Sequence, residues 1–236
     1  FFKQKTAYEI TYGDWSSAVC SSDLFPPGGS NDILARIIGA RLTEITGQTV
    51  IVDNRPGGGG NIGAEAIARA APDGYTFGMG NVATLAINPH LYLKLPYDPV
   101  KDYAAVSLTA EINNCLAVHP SVPVNNVKEL IAFARARPGQ LNYASGGVGS
   151  AQHIPMEMLK VMTGINILHV PYKGGGPAVT DLIAGQIHLG ILDIGNIMPH
   201  VKAGRLRALA VGSPKRLAQY PELPTIAETG PPGFEA

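Results

Sequence analysis

Three glycine-rich turns in this chain each open a segment with helical spacing, and that repeated design restricts the fold more than any other feature. They are FPPGGSND at residues 25–32, YASGGVGSAQH at 143–153 and PYKGGGPAV at 171–179. The middle one is the clearest. A short apolar run at 141–144 precedes it, and Ile154, Met158, Leu159 and Met162 follow at helical intervals. A strand that turns through glycine into a helix gathers unpaired backbone N–H groups at the positive end of the helix dipole, a geometry that holds an anion. Strands alternating with helices in this way imply an α/β fold, with mainly parallel sheets and helices on both faces.

At 236 residues the chain has room for one large domain or two ordinary ones. Hydrophobic residues make up 45% and charged residues 15%, well away from disorder. Zero formal charge leaves no nucleic-acid footprint, and no run of eighteen apolar residues occurs. Residues 1–24 differ in texture from all that follows. They hold no sustained period, lack the layout of a secretory signal, and resemble translated sequencing-adapter sequence, so they are set aside as an artefact-like segment.

From Ser30, residues Ile33, Leu34, Ile37, Ile38, Leu42 and Ile45 fall on one helical face, with Gly47 as the stop. A buried strand is expected at 49–52. Gly58, Gly60 and Gly63 fit G-x-G-x-x-G but do not follow the strand directly, and no ribose-binding acid ends the next strand at 75–80. A tight turn into a closely packed helix is the better reading. Residues 81–91 read as a loop lining a cleft through Asn81 and Thr84. Strands are expected at 105–109 and 115–119, a helix through Val127, Leu130, Ile131 and Ala134, and strands at 166–170, 187–192 and 206–211.

Taken in order, FPPGGSND, VDNRPGGGGNIGAEAIARAAPDGYTF, LNYASGGVGSAQH, HVPYKGGGPAVTDLIAGQI, GRLRALAV and LPTIAETGPPGFEA resemble the solute-binding receptors of tripartite tricarboxylate transporters, the Bug proteins, over residues 25–236. The resemblance implies a two-lobed periplasmic binding protein of the Venus flytrap type. Such a receptor, a monomer, closes on a small carboxylate and delivers it to membrane carrier subunits. It uses no cofactor or metal and performs no catalysis. It also implies donors from Phe25, Pro26, Gly28, Gly29, Ser30 and Asp32 in the first lobe, and from Ser145, Gly146, Gly149, Ser150 and His153 in the second. Asp193 matches a position where a ligand's amine or hydroxyl is met, although LDIGN stands here in place of the commoner FDN pattern. The expected lobes are 25–103, incomplete and short of core strands, and 104–213, with 214–236 beginning a return to the first. On this reading the chain is cut short at both ends.

From the residues alone, His153 either meets a carboxylate or caps its own turn. Tyr172 and Lys173 end a strand beside glycines, with Lys173 a cleft cation or a solvated lysine. SGGVGS is not a nucleophile elbow, and the scattered histidines lack metal-ligand spacing. The competing function is an enzyme that holds a phosphorylated or nucleotide substrate on its glycine turns. It requires a Walker lysine or a ribose-binding acid, and neither stands in place.

Overall fold

The structure is a computed structural model and describes residues 2–3, 19–23 and 27–236. Backbone contacts divide the chain into two compact units, Phe1–Glu111 and Ile112–Ala236. The division thus falls eight residues beyond the expected 103/104.

In the first unit the elements run β1 (Phe2–Lys3), β2 (Val19–Asp23), α1 (Ser30–Thr46), β3 (Val50–Asn54), α2 (Asn61–Ala68), β4 (Thr76–Met79), α3 (Asn88–Leu91) and β5 (Ala104–Ala105). The sheet order among the described residues is β3-β2-β4-β1-β5. β2 runs parallel to β3 and β4, with Val19 opposite Val50 and Cys20 opposite Thr76, whereas β1 is antiparallel to β4 and β5. Residues 2–3 and 19–23, which the sequence reading sets aside, therefore take strand positions, one of them between β3 and β4. Backbone pairing needs no side-chain period over five residues, so these strands leave no periodic signature in the sequence. With them the first unit's sheet has five strands among the described residues.

α1 turns a different face inward from the one expected. Asp32, Ala35 and Gly39 are its buried residues, while Ile33, Ile37 and Ile45 are exposed. The cause is close approach. A Cβ on Gly39 would stand 3.0 Å from Val50 Cγ1, so only a small residue lets the helix lie on β3. Gly47, at φ 71°, closes the helix by donating to Thr43 O. Residues 81–91 are also helical rather than a loop, as a π-helical turn at Ala83–Ile87 runs on into α3. The expected strand at 105–109 shrinks to β5.

The second unit contains β6 (Asn114–Val118), α4 (Val127–Ala136), β7 (Asn142–Ser145), α5 (His153–Thr163), β8 (Leu168–Pro171), α6 (Gly175–Ile183), β9 (Leu189–Asp193), α7 (Ile194–Lys202), β10 (Arg207–Val211) and α8 (Ile226–Thr229). Its sheet order, β8-β7-β9-β6-β10, repeats that of the first unit strand for strand. β7 is parallel to β8 and β9, and β6 is antiparallel to β9 and β10. Both sheets are thus mixed, with a parallel βαβαβ half and an antiparallel half. Alternation along β7 sends Tyr143 into a core with α4, α5 and α8, and Ala144 into a second core with α6 and α7. Helices therefore cover both faces.

Residues 214–236 stay with the second unit instead of returning to the first. Val211 bridges Thr225 in parallel, Ile226 and Phe234 are buried in the α4–α5 core, and a Thr225–Glu228 capping box starts α8. Burying one phenylalanine and one isoleucine stabilises this placement by roughly 3–6 kcal/mol.

Candidate functional site

In each unit the chain leaves the middle parallel strand toward one neighbour and then crosses back to the other. In the second unit β7 leads through α5 to β8, and β8 leads through α6 to β9 on the far side of β7. The loops following β7 and β9 thus diverge, and the carboxyl ends of these strands form a topological switch point, where open α/β sheets take their ligands. The turn at 146–152 stands at that place.

Within the turn most polar groups serve one another. Ser145 is fully buried. Its Oγ accepts from Gly147 N at 3.1 Å and lies 3.1 Å from Gly147 O and 2.7 Å from His169 Nε2. The hydroxyl is spent on the turn, so Ser145 shapes the loop and does not face a ligand. Ser150 is also buried: its carbonyl accepts from the amides of His153 and Ile154, and its Oγ from His153 N. Pro155, at the third position of α5, has no N–H. The donors at the helix start, which the sequence reading assigns to an anion, are therefore already used. Gly149 N donates to His153 Nδ1 at 3.1 Å, so His153 caps its own turn as a neutral ring with its proton on Nε2. Gly146 N donates to Gln152 Oε1. Within the turn at 146–152, the amides left without a hydrogen bond are those of Val148, Ala151 and Gln152. Three donors within five residues of a turn held open by Gly147 (φ 127°) and Gly149 (φ 78°) form an anion-binding nest.

A stack of rings backs the turn. Tyr143 lies 4.7 Å from His169, and His169 lies 4.2 Å from His153, centroid to centroid. Tyr143 OH donates to Glu157, which also takes Lys160 Nζ at 2.7 Å. Burial holds His169 down to about 4, helped by the charge His153 would carry, and burial also lowers His153. The pair is neutral at pH 7. Sequence reading leaves His169 among the scattered histidines because nothing in its spacing reveals the stack.

The remaining candidates in this unit are spread around the same strand ends. Tyr172 N donates to Ser145 O, and its hydroxyl donates to Asp181 Oδ2 at 2.6 Å, so its polar end is committed to α6. Lys173 is exposed. Asp193 ends β9 and accepts from Gln152 Nε2 at 3.0 Å. Gln152, missed from sequence, joins two of the strand ends, and Asn114, also missed, donates to Ala151 O at 3.4 Å.

In the first unit Phe25 and Pro26 lie outside the described residues. Gly28 turns at φ 87° and Gly29 caps α1. Ser30 is the first residue of α1 and is half-buried. Asp32 is buried and accepts from Gly28 N, Asn54 Nδ2 and the Arg36 guanidinium. Burial pushes its carboxyl up, yet these donors together hold it below the usual range. Asp32 therefore locks the turn to β3 in place of offering a ligand contact. Asn81 and Thr84 cap each other, Thr84 N donating to Asn81 Oδ1 and Asn81 N to Thr84 Oγ1, and Thr84 is buried. The glycines at 57–60 all take positive φ and feed α2. Asn88 donates to Gly59 O and Asn61 Oδ1, a packed turn as expected for this motif.

Residues 34–236 match the model of the tripartite tricarboxylate transporter family receptor. The chain belongs to that receptor family. It is 39% identical over 213 residues to protein BugT of Bordetella pertussis, covering 90% of this chain and 65% of BugT, so it spans less than two thirds of that relative. Among solved structures, Rpa4515 of R. palustris with adipate matches with a TM-score of 0.90 and 42% identity, over 94% of this chain and 75% of that one. MatC (Rpa3494) from Rhodopseudomonas palustris with bound malate matches at 0.87 and 30%, over 94% and 76%. The α/β periplasmic-binding-protein fold expected from sequence stands on these likenesses.

Proposed function

We propose that this receptor-family chain is a periplasmic solute-binding protein, not an enzyme, which captures a small carboxylate and hands it to the membrane subunits of a tripartite tricarboxylate-type carrier. The observation that carries the reading is the set of unbonded amides at Val148, Ala151 and Gln152, placed at the switch point of the β7–β8–β9 half. Amides with no internal partner favour a ligand rich in acceptors. Two structural neighbours hold dicarboxylates, adipate and malate, which supports that ligand class.

The affinity follows from the chemistry. Hydrogen bonds to a charged acceptor contribute roughly 1.5–3 kcal/mol each, so three supply on the order of 5–9 kcal/mol. That sum corresponds to a Kd on the order of 0.3 to 200 µM. With Lys173 exposed, backbone dipoles do the holding rather than a fixed cation. Affinity then depends only weakly on salt.

Isothermal titration with malate and adipate tests the reading. One equivalent of dicarboxylate binding, recovered unchanged, supports it; turnover, or preference for a nucleotide over both acids, overturns it.

A further inference from the structure

Gln152 immediately precedes α5 and makes no cap bond to the helix. Its side chain turns back instead. Oε1 accepts from Gly146 N at 3.1 Å and Nε2 donates to Asp193 Oδ1 at 3.0 Å. One planar amide thus joins the first residue after β7 to the last residue of β9, two strand ends on either side of the switch point. The turn leaves space for it: a Cβ on Gly146 would stand 2.5 Å from Oε1. A second tie runs beside the first. Asn114, opposite Asp193 in the β6–β9 ladder, donates to Ala151 O, and its own Oδ1 is buried without a partner.

The two ends of this contact make opposite demands. Gly146 N–H requires an acceptor, and the Asp193 carboxylate requires a donor. A glutamine meets both with one rigid group, whereas a glutamate of the same length would set two carboxylates about 3 Å apart. The donor end has a second effect, because the N–H turned toward Asp193 screens that negative charge from an anion on the turn.

We propose that Gln152 is a positioning residue that clamps the amide-bearing turn at 146–152 to the Asp193 carboxylate, making the two a single rigid site. The ligand half of this proposal rests on the receptor reading above; the clamp itself does not. Gln152→Leu removes both contacts, and Gln152→Glu keeps the acceptor while making the Asp193 contact repulsive until a proton is shared. Besides Asp193 on β9, the titratable groups nearby are His153 on α5 and the exposed Lys173 on the β8–α6 turn.

Two readouts on the whole protein decide it. Without ligand, amide exchange at Gly146 accelerates about tenfold in Gln152→Leu, the loss expected for one buried hydrogen bond. With malate and adipate as probes, Gln152→Leu binds about tenfold or more weakly at every pH. Gln152→Glu is as weak at pH 8 but recovers toward wild type near pH 5, each value taken as a ratio to wild type at the same pH. A merely structural glutamine gives no such recovery. The clamp is overturned if Gly146 exchange and probe affinity in Gln152→Leu stay within about twofold of wild type, or if the Gln152→Glu ratio is flat with pH. A wild-type protein that takes neither probe overturns the receptor reading, and Gly146 exchange then decides the clamp alone.

Discussion

Replacing His169 by glutamine isolates a pH-linked contribution to the second unit's stability on the acid side of neutrality. In the folded protein the ring titrates at about 4, because burial between Tyr143 and His153 opposes its charge. In the unfolded chain it titrates near the ordinary value of about 6.5. Between these pH values the unfolded chain binds the proton and the folded chain does not. Stability is therefore complete above about pH 6.5, falls as the pH drops toward 4, and levels off below that. At 1.36 kcal/mol per tenfold the full difference comes to about 3 kcal/mol. The ring keeps some access to water, so about 2 kcal/mol is the expected loss. Glutamine reproduces a donor near Ser145 Oγ without a titrating ring, leaving His153 to supply a smaller slope of the same sign. Native-state amide exchange in β6 and β9, measured from pH 7 to pH 4, reads this unit separately. Wild type should lose stability across the window and His169→Gln should lose distinctly less. Equal slopes in the two proteins would refute the assignment.

Further outcomes follow from particular contacts. Asp32→Asn removes the charged acceptor shared by Gly28, Asn54 and Arg36, and should cost the first unit roughly 2–3 kcal/mol at pH 7 in urea unfolding. With its carboxyl held low, Asp32 contributes stability that is present above about pH 4 and lost as the pH falls through its folded value, so the variant's deficit should vanish in strong acid. Gly149→Ala forces an alanine to φ 78° and should cost the second unit about 1–2 kcal/mol, read as a lowered thermal midpoint, while weakening malate or adipate. The first unit's core cluster comprises Ala64, Ile67, Tyr97 and Tyr103 among the described residues, against two larger clusters in the second. Denaturant should therefore unfold the first unit at lower concentration, and coincident transitions for probes in the two units would contradict this.

The alternation of strand, glycine turn and helix was legible because each turn carries its own chemistry, as with Gly47 and Gly164, which end α1 and α5 in the left-handed conformation. The inward face of α1 was not. Apolar periodicity reports transfer free energy, whereas the sheet selected Ala35 and Gly39 for how closely they allow the helix to approach. The second-unit turn is legible as a glycine-rich bend into a helix, but the parts its polar side chains play in it are not. Ser145, Ser150 and His153 looked like ligand donors since their chemistry permits it, yet each is used to satisfy the loop's own backbone. Gln152 and His169 act on partners 41 and 24 residues away, and no local pattern encodes such pairings.

The account stands or falls on where a dicarboxylate meets the second unit's backbone. Amide shifts of uniformly 15N-labelled protein titrated with malate or adipate should move first and furthest at Val148, Ala151 and Gln152. If saturating ligand shifts other amides and leaves these three unmoved, the anion does not sit on this turn and the proposed mode of capture is wrong.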